Sequence, residues 1–93
     1  MIIGVLQVEL FIPHSLSLKA KRCVLRSIKE RVSSKFNVAI SETDFMNKWQ
    51  RSILSIVTVS NEQKYCDQVL TKVERLIEEY HEAQIIDRML EFI

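Results

Sequence analysis

The sequence predicts an α+β domain in which four antiparallel strands form one sheet and two helices lie on one face of that sheet. Two observations lead to this fold class. The length of 93 residues suits a single small domain, which we assign to residues 1–93. Apolar residues recur at period two in four segments and at three-to-four spacing in two, in the order strand, helix, strand, strand, helix, strand.

The first strand is predicted over residues 2–12 because its apolar residues alternate. The even positions form a uniformly apolar face, expected to meet the helices: Ile2, Gly4, Leu6, Val8, Leu10 and Ile12. The odd positions form a mixed face, expected to stay open: Ile3, Val5, Gln7, Glu9 and Phe11. Gly4 on the apolar face would let a helix approach the backbone closely.

The first helix is predicted over residues 17–35, where Ser17 is a good N-cap for the unpaired N–H groups of the first turn. A strand with looser alternation follows over residues 38–46. Residues 50–60 are rich in β-branched side chains and contain neither glycine nor proline, which predicts a third strand.

The second helix is predicted over residues 62–81 from apolar residues at three-to-four spacing. The last strand is predicted over residues 84–93, with Ile86, Leu90 and Phe92 on one face. Right-handed crossovers then place both helices on the same side of the sheet. The predicted architecture is a ferredoxin-like βαββαβ sandwich whose second sheet face is uncovered in a monomer.

Composition narrows the classes of function. The chain has one glycine and one proline, so it cannot contain a glycine-rich loop of the kind that binds phosphate. The two cysteines, Cys23 and Cys66, are isolated and are expected to be small core residues in a reducing compartment, which favours a cytoplasmic location. No apolar run reaches about 18 residues, so no membrane-spanning segment is predicted.

The sequence offers no motif for catalysis or for metal binding. His14 and His81 stand alone, without a second histidine four residues away or a nearby cysteine pair, so we expect no metal and no cofactor. Ser15, Ser17 and Cys23 lack an evident base, so nucleophilic catalysis has no positive support. A non-enzymatic protein is therefore predicted, and an enzyme or small-ligand site is kept as the third hypothesis.

The net charge of +1 conceals a segregation of charge along the chain. Residues 1–60 carry nine Lys or Arg against four Asp or Glu, whereas residues 61–93 carry four against eight. The first helix holds most of the excess, and five of its basic residues are candidate phosphate contacts: Lys19, Lys21, Arg22, Arg26 and Lys29. The alternative is a solvated basic face that the acidic second helix partly neutralises.

The open sheet face is a candidate interface. It would carry Ile3, Val5 and Phe11, and an apolar patch of this kind is typical of an interface, here a homodimer. A platform for another macromolecule and a face that stays partly exposed are the alternatives. Trp49 is expected to anchor the core or an interface; the alternative is a cation–π stack with Arg51, which would share a face of the third strand with it.

Three runs of residues together resemble the YlxP-like family of small bacterial proteins: Ser17-Leu18-Lys19-Ala20-Lys21-Arg22-Cys23-Val24-Leu25, Phe36-Asn37-Val38-Ala39-Ile40-Ser41-Glu42 and Trp49-Gln50-Arg51. The likeness covers nearly the whole chain. The resemblance implies a ferredoxin-like fold. It also implies that eight positions are characteristic of the family: Ser17, Lys19, Lys21, Arg22, Asp44, Trp49, Gln50 and Arg51. The family tends to have Glu where this chain has Ala20, so a Ser-x-x-Glu capping box is lost here.

The family has no established function, but its genes often lie beside those for translation initiation and ribosome maturation, which implies a link to RNA or the ribosome. The leading hypothesis is therefore a binding module for RNA or a ribosomal particle. Its predicted nucleic-acid contacts are Lys19, Lys21, Arg22, Arg26, Lys29, Trp49 and Arg51. The alternative is a structural or protein-interaction module that homodimerises through Ile3, Val5 and Phe11.

Overall fold

The computed structural model describes residues 1–93 and confirms the predicted element order. The strands form one antiparallel sheet in the order β2-β3-β1-β4. The elements are β1 (Ile2–Phe11), α1 (Leu18–Lys35), β2 (Ala39–Asp44), β3 (Arg51–Ser60), α2 (Gln63–Glu78) and β4 (Gln84–Phe92). This is the ferredoxin-like α+β arrangement. Neither helix is long and apolar enough to cross a membrane.

The alternation of β1 sorts its residues between the two faces as predicted. Leu6, Val8 and Leu10 are fully buried beneath the helices. The neighbouring odd positions are only half-buried on the open face. β1 lies between β3 and β4, so its inward residues form the centre of the core.

Close packing of α2 on β1 depends on Gly4. A Cβ atom at this position would lie 2.9 Å from Leu70 Cδ1 and 3.1 Å from Cys66 Cβ, closer than side chains normally approach. Cys66 is fully buried at this contact, as predicted. The prediction for Cys23 was wrong: its thiol is exposed because Cys23 lies on the outer side of α1, away from the buried stripe.

The predicted face of the last strand is wrong at one residue. A β-bulge between Glu9 and Leu10 in the β1–β4 pairing adds one residue to β4. Ile85 rather than Ile86 therefore packs against the core together with Leu90. Ile86 is left 51% exposed.

Candidate functional site

Many of the residues that carry the family resemblance lie at one end of the sheet, where α1 begins and the β2–β3 turn lies, whereas Phe36 and the residues that follow it lie at the other end of α1. Ser17 caps α1 as predicted, since its Oγ accepts a hydrogen bond from the Ala20 N–H at 3.0 Å. The Ser15 hydroxyl donates to the Ser17 carbonyl oxygen at 3.0 Å. Both hydroxyls are thereby engaged in positioning the start of the helix.

Lys21 is not an exposed phosphate contact, and that prediction was wrong. Its side chain is fully buried, and its ammonium group donates to the carbonyl oxygens of Phe45 at 2.8 Å, Arg51 at 3.2 Å and Met46 at 3.3 Å. Glu42 Oε2 lies 2.9 Å from the same nitrogen. Lys21 therefore joins α1 to both ends of the β2–β3 connection.

The position of Lys21 in the helix explains its burial. Lys21 lies four residues before Leu25 and seven before Ile28, so it falls on the buried stripe of α1. Glu42, its ionic partner, also accepts a hydrogen bond from Ser52 Oγ at 2.8 Å. The four-residue spacing between Lys21 and Leu25 is the sequence signal that predicts a buried Lys21 and distinguishes it from the exposed cations of α1.

The β2–β3 turn holds Phe45 in an unusual backbone conformation. Its φ is 60°, the left-handed region that bulky side chains rarely adopt. The Asp44 carboxylate accepts from the Phe45 N–H at 2.7 Å, and the Phe45 carbonyl oxygen accepts from the Lys48 N–H at 2.9 Å. Together with Lys21, these bonds fix the shape of the turn that leads to Trp49.

The alternative reading of Trp49, a cation–π stack with Arg51, does not occur. The Arg51 guanidinium lies 4.6 Å from the centroid of the Phe45 ring. Arg51 Nε also donates to Glu9 Oε2 at 3.0 Å, and a second nitrogen of the same group contacts that oxygen. The charge of Arg51 is thus largely satisfied within the protein.

Trp49 faces solvent and is not a core residue. It is 54% exposed. With Phe11, Lys48, Gln50 and Arg51 it lines an open hollow of about 440 Å³. Nothing in the residue pattern alone indicated this hollow, because it forms where the end of β1 meets the start of β3.

Four of the five predicted phosphate contacts do form an exposed surface on α1. We call it the basic flank, and its members are Lys19, Arg22, Arg26 and Lys29. Lys29 is half-buried and the other three are exposed. None of the four takes part in any of the four ion pairs of the molecule.

The acidic helix α2 engages the other flank of α1. Arg31 lies 3.1 Å from Glu79 and above the Tyr80 ring, and the Ser27 hydroxyl is 3.1 Å from the Tyr80 hydroxyl. Ser27 and Arg31 therefore mark the side of α1 that faces α2. At about 100° per residue, the basic flank lies on the other side of the helix. Direct pairing with α2 does not neutralise it.

The open sheet face is divided by a polar row. Ser55 Oγ accepts from Gln7 Nε2 at 3.0 Å and lies 2.7 Å from Thr43 Oγ1. Ile3 and Val5 lie on one side of this row, and Phe11 lies beyond it, opposite Arg51. The structure thus brings together two of the three predicted interface residues and separates the third from them.

An apolar patch occupies the first side of this row. Ile3 pairs with Val59 and Val5 pairs with Val57, so the four side chains lie on adjacent strands of the open face. Val59 is 57% exposed. We call these four residues the apolar end.

The fold and these surfaces define a small ferredoxin-like α+β protein with a basic helix flank, a solvent-facing tryptophan and an uncovered sheet face. The chain belongs to the family described as "Protein of unknown function (DUF503)", whose model matches residues 3–89. It is 38% identical over 82 residues to "Uncharacterized protein YlxP" of Bacillus subtilis (strain 168), a match that covers 88% of this chain and 89% of that protein. The resemblance to the YlxP-like family is confirmed.

Proposed function

We propose that this protein is a non-enzymatic module that binds RNA, free or within a ribosomal particle, through the basic flank of α1. The single observation that carries the proposal is the set of four cations on one helix flank, none of them paired with a carboxylate. Like charges at this spacing destabilise a helix slightly. Phosphate groups would remove that repulsion and release counterions on binding.

The position of α1 supports the same function. The basic flank lies on the side of α1 that faces away from α2. Glu79 approaches α1 on the opposite side, at Arg31. The positive end of the helix macrodipole adds to the potential around Lys19 and Arg22. Among polyanions, RNA is favoured because the family's genes often lie beside those for translation initiation and ribosome maturation.

Charge reversal on the flank tests the proposal. We expect the double variant Arg22→Glu/Arg26→Glu to lose roughly tenfold or more of the affinity for RNA at low salt, because two phosphate contacts become repulsive. The matched control is Lys64→Glu/Lys72→Glu, which changes the net charge equally on the exposed surface of α2. Affinity is measured by fluorescence anisotropy with labelled RNA. Equal affinities of the two variants, or no binding by the wild type, would contradict the proposal.

The uncovered sheet face favours a second candidate function, a homodimer formed through the apolar end. Exposed apolar side chains on neighbouring strands are typical of an interface. Val5→Asp should convert a dimer into a monomer, as measured by light scattering at micromolar concentration. Phe11→Ala is the control, since Phe11 lies beyond the polar row. A wild-type protein that is already monomeric under these conditions would rule out this dimer.

A further inference from the structure

Trp49 is a largely exposed aromatic side chain that makes no cation–π contact inside the protein. It is the only tryptophan of the chain and is 54% exposed. The two cation–π contacts in the molecule involve Arg31 with Tyr80 and Arg51 with Phe45. The cation two residues away is therefore turned elsewhere, and the indole carries no stacked group.

The backbone around Trp49 is nevertheless firmly held. The next residue, Gln50, donates from its side chain to the carbonyl oxygens of Pro13 at 3.1 Å and Ser15 at 3.3 Å. The Gln50 carbonyl oxygen accepts from the Ile12 N–H at 2.8 Å. Because this backbone is already held, a ligand that stacks on Trp49 has to order the side chain alone.

The chemistry of the hollow beside Trp49 suits a planar ligand linked to phosphate. Phe11 and Trp49 supply aromatic surface, and Lys48 supplies an exposed cation. The nearby carboxylate of Glu9 is paired with Arg51, so it does not oppose an anion strongly. Aromatic side chains beside cations are typical of proteins that stack unpaired bases.

The first residues of the basic flank, Lys19 and Arg22, lie at the same end of the molecule as the hollow. They are on the helix side of the sheet, whereas Phe11 and Arg51 line the hollow from the open face. Lys21 joins α1 to the β2–β3 turn through its three carbonyl contacts. Lys19 and Arg22 belong to the same turn of α1 as Lys21. An RNA strand whose phosphates contact these two residues would therefore reach Trp49 by passing around the β2–β3 turn at this end of the sheet.

We propose that Trp49 stacks on an unpaired nucleobase, so that the protein prefers single-stranded RNA to duplex RNA. This inference rests on the proposed RNA-binding function and names its substrate class. In a duplex the bases are stacked within the helix and offer no face to the indole. The basic flank can contact the phosphates of either form, and the denser charge of a duplex makes those contacts slightly stronger there, so a preference for single strands has to come from the stacked base.

The experiment compares a short single-stranded RNA, the corresponding duplex and an abasic oligonucleotide of equal length. The proteins are the wild type, Trp49→Ala and Trp49→Phe, whose exposed position leaves the core unchanged. We expect Trp49→Ala to weaken single-strand binding roughly tenfold, with duplex and abasic binding unchanged, and Trp49→Phe to keep most of the affinity. Single-stranded RNA should also quench the fluorescence of Trp49, whereas the abasic strand should not.

The outcomes separate the two proposals. The stacking site is overturned if binding depends on salt but is equal for single strand and duplex and equal for wild type and Trp49→Ala. That result would still support the basic flank. Binding of no RNA by the wild type overturns both. Quenching by single-stranded RNA that persists in Arg22→Glu/Arg26→Glu at higher RNA concentration supports the stacking site independently of the flank.

Discussion

Lys21 shows how the position of one residue changes its role. Its charge groups it with the other basic residues of α1, but its spacing from Leu25 and Ile28 puts it on the buried stripe. A buried ammonium group needs partners, and Lys21 has three carbonyl oxygens and the Glu42 carboxylate. Those contacts connect α1 to the turn that precedes Trp49. Lys21 thus holds the β2–β3 turn, and with it the segment that carries Trp49, in place against α1.

Replacement of Lys21 by methionine tests this role. Lys21→Met leaves the Glu42 carboxylate, with only 15% of its side chain exposed, without its cation. Removing one partner of a buried pair costs about 3–5 kcal/mol of the free energy of unfolding, which urea denaturation measures. The exposed neighbour provides the control, since Lys19→Met should change stability by less than about 0.5 kcal/mol. Equal effects at the two positions would show that Lys21 does not hold the turn.

The elements were largely predictable from local patterns, and the exceptions depend on contacts between distant segments. The alternation of β1 and the Ser17 cap are local, and the structure confirms both. The bulge that exposes Ile86 depends on the register between β1 and β4, which no residue pattern within β4 specifies. Arg51 contacts Phe45 and Glu9 rather than Trp49 because Glu9 lies on the adjacent strand β1.

Packing of α2 on β1 gives a prediction at the scale of elements. Gly4→Ala places a methyl group within 2.9 Å of Leu70 Cδ1 and 3.1 Å of Cys66 Cβ. Overpacking of this kind typically costs about 1–3 kcal/mol. We expect a lower midpoint of thermal unfolding, measured by circular dichroism. Because the added methyl group would occupy space that Leu70 Cδ1 now fills, Leu70→Ala should destabilise the Gly4→Ala variant less than it destabilises the wild type. An unchanged midpoint in Gly4→Ala would contradict close packing here.

Charge is distributed across the whole molecule so that a net value of +1 coexists with a locally cationic surface. Two acidic residues of the second half form ion pairs on the surface, Glu79 with Arg31 and Glu74 with Arg88. The basic flank has no such pairs and lies on the other side of α1. Near-neutrality of the chain is therefore compatible with a polyanionic partner.

The salt dependence of RNA affinity tests the basic flank most directly. Each phosphate contact on a single strand contributes about −0.7 to the slope of log affinity against log salt. For a flank of three to four cations we expect a slope of about −2 to −3 in the wild type, and a slope smaller in magnitude by about 1.4 in Arg22→Glu/Arg26→Glu. The control Lys64→Glu/Lys72→Glu should keep the wild-type slope. A flat wild-type dependence, or the same slope in both variants, would show that the basic flank does not contact RNA.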